Sequence, residues 1–183
     1  MRWMWIDRII EFQPRVRLVS IKNVSMAEEH LHDHFAADTP AQGDRPAMPV
    51  MPSSLILEGM AQSAGVLIGH ADGFLHKVVL AKINRAEIAS DVFAGMTIRH
   101  TARIDRLDAM GASTVGTVEA FLPGTDRPGP QRIAEIDLMF SFIDRNMSGM
   151  DFPEHNFVFS ESFKTLLRMS GIEDPCGTVG QSA

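Results

Sequence analysis

Two residues of this chain have side chains and sequence surroundings suited to proton transfer, Glu58 and His34. Glu58 lies in a stretch, residues 52–70, that is apolar almost all round and is therefore typical of a buried helix. A carboxyl group there is costly unless it is paired, hydrogen-bonded or protonated, and a group kept at that cost is often functional. Because burial favours its protonated form, Glu58 is a candidate proton donor near neutral pH.

A structural role is the alternative for Glu58. Gln62 follows it by one helical turn and could satisfy it as a core carboxylate. We favour function, because ionisable residues are rarely buried without a reason.

His34 is the last member of a cluster that also contains His30 and His32. In an extended strand alternate residues share a face, so three imidazoles at this spacing could ligate a metal ion. The spacing is one residue short of the His-x-His-x-Asp-His pattern of zinc hydrolases, and no distant ligand stands out. We therefore expect no metal site and place His30 and His32 in a solvated loop. His34 differs because Phe35 follows it and can bury and fix the backbone.

The hydrophobic pattern and the turn residues predict the elements that hold these residues. Two runs rich in β-branched and aromatic residues flank Gln13-Pro14-Arg15 and predict a β-hairpin. Prolines and a glycine make residues 26–52 an irregular loop, and the apolar helix follows with Ser53 or Ser54 as its N-cap. The predicted strands span residues 6–12, 16–24, 76–88, 96–107, 113–122 and 132–143, and a short amphipathic helix spans 160–169.

This order of elements predicts one long helix beside an antiparallel meander. A single helix cannot cover both faces of a six-stranded sheet, but a strongly curved sheet can wrap around it. The sheet edge and part of the helix then remain for a second copy to cover, so we expect a homodimer.

Composition bounds the class of protein. The 183 residues suit one domain, and a net charge of −6 argues against general nucleic-acid binding. The single cysteine fits a reducing compartment, and neither a signal peptide nor a membrane-spanning run is evident, so we expect a cytoplasmic protein.

Alternation in the fourth strand places Arg99 and Arg103 outward, with Lys82 or Arg85 nearby. These could form a basic patch, although an ordinary solvated sheet face is the more frequent outcome.

Three stretches of the chain resemble the sequence pattern of one enzyme family. They are Asp33-His34-Phe35-Ala36-Ala37, Pro49-Val50-Met51-Pro52-Ser53 and Leu55-Ile56-Leu57-Glu58-Gly59-Met60-Ala61-Gln62. The β-hydroxyacyl-[acyl-carrier-protein] dehydratases have Gly-His-Phe-Pro-Gly, Pro-Val-x-Pro-Gly and Leu-x-x-Glu/Asp-Ala-Met-Ala-Gln in the corresponding places. The chain is similar to that family over roughly residues 5–143. It departs from the pattern at Gly59, where the family has alanine, and in a longer segment between His34 and Glu58.

The resemblance implies an α+β hot-dog fold, in which a curved antiparallel sheet of about six strands wraps a long central helix. We expect this domain to span residues 1–145. Residues 146–183 are then an extension with a short helix and a disordered end.

The resemblance also implies an activity and a site. His34 matches the catalytic histidine and Glu58 the catalytic acid, and in this family the two come from different subunits of the dimer. Ser53 stands where a backbone N–H polarises the thioester carbonyl, and Val50 where a carbonyl oxygen holds the histidine ring. Phe35 and Gln62 complete the expected substrate-binding residues.

The expected reaction interconverts β-hydroxyacyl and trans-2-enoyl thioesters in fatty-acid or related biosynthesis. No cofactor is implied, because the phosphopantetheine arm belongs to the substrate. The expected partners are acyl carrier protein, or a coenzyme A thioester, and a second copy of the chain, with higher assembly of dimers left open. Two alternatives remain: a hot-dog acyl thioesterase, and a non-catalytic protein that binds acyl thioesters.

Overall fold

A single antiparallel sheet of six strands forms the body of the protein, in the order β1-β2-β4-β5-β6-β3. The computed structural model describes residues 3–34, 49–124, 129–143 and 158–172. The strands are β1 Arg8–Gln13, β2 Arg17–Asn23, β3 Lys77–Ile88, β4 Thr97–Asp108, β5 Gly111–Phe121 and β6 Gln131–Ile143. The helices are α1 His30–Asp33, α2 Ser53–Ala71 and α3 Glu161–Met169.

Helix α2 packs against strands β2 to β6 and supplies the centre of the core. Its 19 residues are mostly apolar, which is why no strongly polar face keeps it at the surface. The largest side chains it buries are Ile56, Met60, Leu67 and Ile68, in one cluster with residues from the inner face of the sheet. The predicted α+β fold, an antiparallel sheet of six strands with one long helix packed on it, is confirmed.

Two local predictions around the helices are wrong. The N-cap of α2 is Pro52, without a side-chain cap hydrogen bond, so neither serine caps the helix. Instead, the Pro52 carbonyl oxygen accepts the Leu55 N–H at 2.9 Å. The predicted irregular loop also contains a short helix, α1, which carries His30 at its start.

Strand β3 forms one end of the sheet and is paired only with β6 among the described strands. Most of its 12 residues are exposed, including Leu80 at 37% and Ile83 at 44%. A long edge strand without a partner on its outer side is a surface that proteins normally cover or block. The structure therefore leaves a strand-length surface open on one side of the sheet.

The segment 158–172, which includes α3, packs on β1 and on the C-terminal half of α2. Leu166 and Leu167 of α3 are buried, and the Ile9 N–H donates to the Ser170 hydroxyl at 3.2 Å. The predicted short amphipathic helix is thus present within the extension. The predicted disordered end, and with it Cys176, lies outside the described residues.

Two arginines of the possible basic patch are paired with acids. Arg99 pairs with Glu119 at 2.8 Å, while Arg85 pairs with Glu87 at 2.7 Å and also with Glu135. At these two positions the sheet has the mixed charge of an ordinary solvated face, which the sequence favoured over a basic patch.

None of the helices in the described part of the chain has the length and the apolar character needed to cross a membrane.

Candidate active site

Glu58 lies in the second turn of α2, half-buried, and is held by two N–H donors. The Trp3 indole Nε1–H and the Gln62 side-chain amide each donate to Oε1 at 3.0 Å. Among the described residues no donor reaches the other oxygen, Oε2. Because both donors stabilise charge on Oε1, Oε2 is the oxygen that can carry and exchange a proton.

Gln62 connects this carboxyl group to the N-terminal segment. Its oxygen accepts the Trp5 backbone N–H at 2.8 Å, and its nitrogen also donates to the Trp3 carbonyl at 3.2 Å. The Gln62 side chain is buried and uses both ends of its amide, so its rotamer is fixed. The structural partner predicted for Glu58 is therefore present, and it orients the carboxyl group.

His34 lies at the end of α1 and is tied to Val50 by two hydrogen bonds. Its ring Nδ1 lies 2.9 Å from the Val50 carbonyl oxygen, and the Val50 N–H donates to the His34 carbonyl at 3.3 Å. Val50 is itself buried and forms a β-bridge with Phe93, while the Met51 N–H donates to the Val92 carbonyl at 2.8 Å. The histidine is thus fixed to a backbone that the core holds in place.

The bond to Val50 determines which ring nitrogen of His34 is basic. A carbonyl oxygen only accepts, so the bond requires a proton on Nδ1. In the neutral ring, Nε2 then keeps its lone pair and can take a proton from another group. This tautomer is the one a general base needs.

Ser53 is the first residue of α2 and is exposed. The N–H groups of a first helical turn have no partner within the helix, and the helix dipole makes them good donors to an anion. No acidic residue lies in the first turn of α2 to compete for them. The helix start can therefore hold a developing negative charge.

A pocket of about 280 Å³ runs beside Glu58. Its polar lining comes from Glu58 and Gln62, and the rest is mostly apolar. The lining residues are Trp3, Glu58, Ala61, Gln62, Gly65, Val66, Val78, Leu80, Phe140, Val158, Phe159 and Phe163. The site can accept an apolar chain beside a carboxyl group.

The segment that carries the histidine cluster is a short helix and not the extended strand considered in the sequence. His30 begins a helical turn, so the alternating face of an extended strand does not occur there. His30 instead packs edge-on against the Trp5 ring, with centroids 5.1 Å apart. Within the described part of the chain, no three His, Cys, Asp or Glu residues form a group suited to a metal ion. Phe35 lies outside the described residues.

His100, on β4, lies directly beneath the helix that carries Glu58. It is fully buried, and a Cβ added to Gly59 would lie 2.7 Å from two atoms of its ring. Burial lowers the pKa of His100 to about 4, and the nearby Ile56 carbonyl offsets this only in part. Neither ring nitrogen makes a hydrogen bond of normal geometry to the described residues. Glycine in place of the family's alanine is therefore what lets the imidazole fit under the helix.

The sequence did not predict two residues that lie around the site, Trp3 and His100. Trp3 is 55 positions from Glu58, and nothing in its own neighbourhood indicates that contact. For His100 the one available signal was Gly59, since a glycine inside an apolar helix often marks a close approach of another group.

The architecture defines this protein as a hot-dog fold protein. Its candidate site residues are the Val50-bound His34, the carboxyl group of Glu58 and the Ser53 N–H at the start of α2. Solved structures with this architecture include the dehydratase heterocomplex ApeI:P from Xenorhabdus doucetiae, at 15% identity and a TM-score of 0.54, covering 77% of this chain and 84% of that one. A variant of the acyl-CoA hydrolase from Staphylococcus aureus in complex with coenzyme A gives 11% identity and a TM-score of 0.51, with 84% of each chain covered. At these identities the likeness concerns the fold alone.

Sequence comparison identifies the family. Residues 2–106 match the family model of the FabA-like domain. The 3-hydroxyacyl-[acyl-carrier-protein] dehydratase FabZ of Clostridium kluyveri is 30% identical over 145 residues, which cover 79% of this chain and 88% of that protein. The chain belongs to this family of dehydratases and is an enzyme of the lyase class. The family expected from the three sequence stretches is confirmed.

The contact between Gly59 and His100 predicts a specific pattern of stability changes. Gly59→Ala should destabilise the protein by about 1–3 kcal/mol, because overpacking against the buried ring outweighs the gain of alanine in a helix. In a His100→Ala background the same change should be neutral or stabilising. Urea unfolding of the four proteins measures the coupling.

Gly65→Ala is the matched control for this prediction. It lies in the same helix, and a Cβ there meets no atom within 4 Å. It should stabilise by about 0.5–1 kcal/mol, through helix propensity alone. Equal effects of alanine at positions 59 and 65 would contradict the proposed contact.

The low pKa of His100 predicts a loss of stability in acid. The unfolded chain binds a proton near the ordinary histidine pKa of 6.5, whereas the folded chain binds it only near pH 4. Stability should therefore fall as the pH drops below 6.5, by about 3 kcal/mol at pH 4 from this group. Urea unfolding between pH 4 and 8 should show a smaller loss for His100→Leu. Parallel pH profiles for the two proteins would rule His100 out as the source.

Proposed function

We propose that this enzyme interconverts 3-hydroxyacyl and trans-2-enoyl thioesters carried on acyl carrier protein, in fatty-acid or related biosynthesis. The observation that carries the proposal is the bond from His34 Nδ1 to the Val50 carbonyl oxygen. It leaves the lone pair on Nε2 of His34, and the carbonyl that holds the ring belongs to Val50, three residues before the start of the helix that presents Glu58. Membership in the dehydratase family supports the same reaction.

In the first part of the reaction, Nε2 of His34 takes a proton from the α-carbon of the hydroxyacyl group. The electron pair left behind is delocalised onto the thioester oxygen, where negative charge develops. We assign the Ser53 backbone N–H as the donor to this oxygen, helped by the dipole of α2. Serine in place of the family's glycine retains that N–H.

In the second part, Glu58 protonates the departing hydroxyl group. The bond between the β-carbon and oxygen breaks, water leaves, and the double bond forms between the α- and β-carbons. Oε2 of Glu58 is the oxygen suited to this transfer, because Trp3 and Gln62 occupy Oε1. Each step moves a proton between side chain and substrate, so the proposed mechanism uses no cofactor. Hydration of the enoyl thioester uses the same groups in reverse.

The proposed active form is a homodimer whose sites are shared between subunits. Within one chain, Glu58 is bonded to the N-terminal segment and His34 to the Val50 backbone. Val78 and Leu80 of the edge strand β3 form a wall of the pocket beside Glu58. A second copy that pairs along β3 therefore lies against the pocket, where its own His34 can complete the site.

The carrier and the location are proposals from the sequence and the family. FabZ relatives are named for substrates on acyl carrier protein, and we propose the same carrier here, with coenzyme A thioesters as weaker substrates. Arg85 and Arg99 of the sheet face are paired with acids, so we assign no carrier-binding surface to these two residues. A cytoplasmic location stays a prediction from the sequence.

Hydration of a crotonyl thioester tests the proposed reaction. His34→Ala and Glu58→Gln should each lower kcat/KM by about 10²- to 10⁴-fold, because each removes one proton-transfer group. Glutamine retains an oxygen that accepts from Trp3 and Gln62, so Glu58→Gln should fold normally. Loss of enoyl absorbance on carrier-protein and coenzyme A substrates provides the measurement.

Two matched controls lie outside the pocket, His76→Ala and Glu119→Gln. Both should retain wild-type activity. If the wild type and both site variants hydrate crotonyl thioester at equal rates, or if no chain length is a substrate, the dehydratase proposal fails. Release of free thiol from an acyl thioester would instead indicate a thioesterase, and binding without turnover a non-catalytic protein.

Mixing inactive variants tests whether the site is shared. Unfolded and refolded together in equal amounts, His34→Ala and Glu58→Gln chains should recover about a quarter of wild-type activity. Half of the dimers are then mixed, and each mixed dimer has one intact site. If both groups act within one chain, no mixed dimer has an intact site and the mixture stays inactive.

A further inference from the structure

We propose that the segment 158–172 closes the far end of the acyl pocket and that Phe159 and Phe163 limit the length of the acyl chain. The inference rests on the proposed function, because it concerns the substrate of that site. The match to the FabA-like family model ends at residue 106, so the segment lies outside the part of the chain that the model describes.

The pocket follows the axis of α2. Its helical lining residues, Glu58, Ala61, Gln62, Gly65 and Val66, lie on successive turns. At 1.5 Å per residue, eight residues from Glu58 to Val66 correspond to about 12 Å. An acyl chain with its reacting carbons beside Glu58 would therefore extend toward the C-terminal half of the helix.

Phe159 lies at that far end. A Cβ added to Gly69, one turn beyond the pocket-lining part of α2, would lie 2.3 Å from the Phe159 ring. Glycine at position 69 thus allows the ring to lie directly on the helix backbone. Phe159, together with Val158 and Phe163, supplies the apolar lining from the C-terminal segment.

The closing residues are packed firmly. The Phe159 ring meets Phe74 edge-on at 4.6 Å between centroids and Phe163 at 6.1 Å. Behind them, Leu166 and Leu167 are buried in the core, and Ser170 accepts a hydrogen bond from β1. Phe159 is buried and held on several sides, so its ring has few alternative rotamers, and the partly buried Phe163 packs beside it.

Glu58 and both rings line one pocket, whose volume within a single chain is about 280 Å³. Because the lining part of α2 spans only about 12 Å between Glu58 and Val66, the proposed stop should favour short acyl thioesters. A Cβ added to Gly65, on the helical wall of the same pocket, meets no atom within 4 Å.

The test compares chain-length profiles of hydration for butenoyl, octenoyl and dodecenoyl thioesters. The wild type should favour butenoyl, and Phe163→Ala should raise the dodecenoyl-to-butenoyl ratio of kcat/KM by about tenfold or more, because apolar pockets discriminate chain length by such factors. Phe159→Leu should act in the same direction. Gly65→Leu should fill the pocket and lower the ratio.

Met169→Ala is the matched control, since Met169 is a large apolar residue of the same helix that is exposed and does not line the pocket. It should leave the profile unchanged. Circular dichroism and urea unfolding identify any variant that fails to fold, and Gly65→Leu tests the pocket without disturbing the C-terminal segment. If Phe163→Ala and Gly65→Leu fold and are active but keep the chain-length profile of the wild type, the inference about the acyl pocket is overturned. The proposed dehydratase function is not affected by that result.

A binding measurement tests the proposed stop of the acyl pocket without depending on hydration activity. Trp3 lines the pocket, so its fluorescence can report the binding of pantetheine thioethers of increasing acyl length. If no protein shows hydration, the proposed function fails, whereas a longer optimum for Phe163→Ala in binding still supports the closed pocket. Equal binding profiles for the wild type and Phe163→Ala overturn it.

Discussion

The close packing of one apolar helix against the inner face of the sheet is the constraint on which this structure depends. Helix α2 buries Ile56, Met60, Leu67 and Ile68 completely and packs against strands β2 to β6. The same helix carries the backbone N–H groups of its first turn, the Glu58 carboxyl group and one wall of the pocket. The burial that stabilises the fold therefore also fixes the position of Glu58 relative to the start of the helix.

The packing is tight enough to determine residue identity along α2. Gly59 leaves room for the buried ring of His100, and Gly69 leaves room for Phe159, whereas Gly65 faces open space. Glycine normally lowers the stability of a helix, but at positions 59 and 69 its missing side chain allows close packing of another ring. At position 65 the missing side chain leaves space at the wall of the pocket.

Hydrogen bonds to backbone and amide groups set the chemistry of the two candidate groups. The Val50 carbonyl fixes the tautomer of His34, and Gln62 with Trp3 occupies one oxygen of Glu58. Neither effect requires a second charged residue. The pair can therefore be held ready while the pocket around it remains largely apolar.

Much of the architecture followed from the sequence, because periodicity and turn residues report local structure directly. The predicted hairpin, the long helix, the four later strands and the short last helix all occur, with ends displaced by at most two residues. The family and the identities of His34, Val50, Ser53 and Glu58 as site candidates also came from local patterns. The capping serine and the fully irregular loop were wrong, since caps and short helices depend on contacts that a hydrophobic pattern does not encode.

Tertiary structure alone decided which distant groups meet. The Trp3 indole reaches Glu58 across 55 positions, and His100 lies under Gly59 because a strand crosses the helix there. The C-terminal segment reaches the pocket for the same reason: its position depends on burial against α2 and β1. By itself, the sequence determined the elements and the reactive side chains, which are local properties. Their neighbours, and the size of the pocket, depend on packing between residues far apart in the chain.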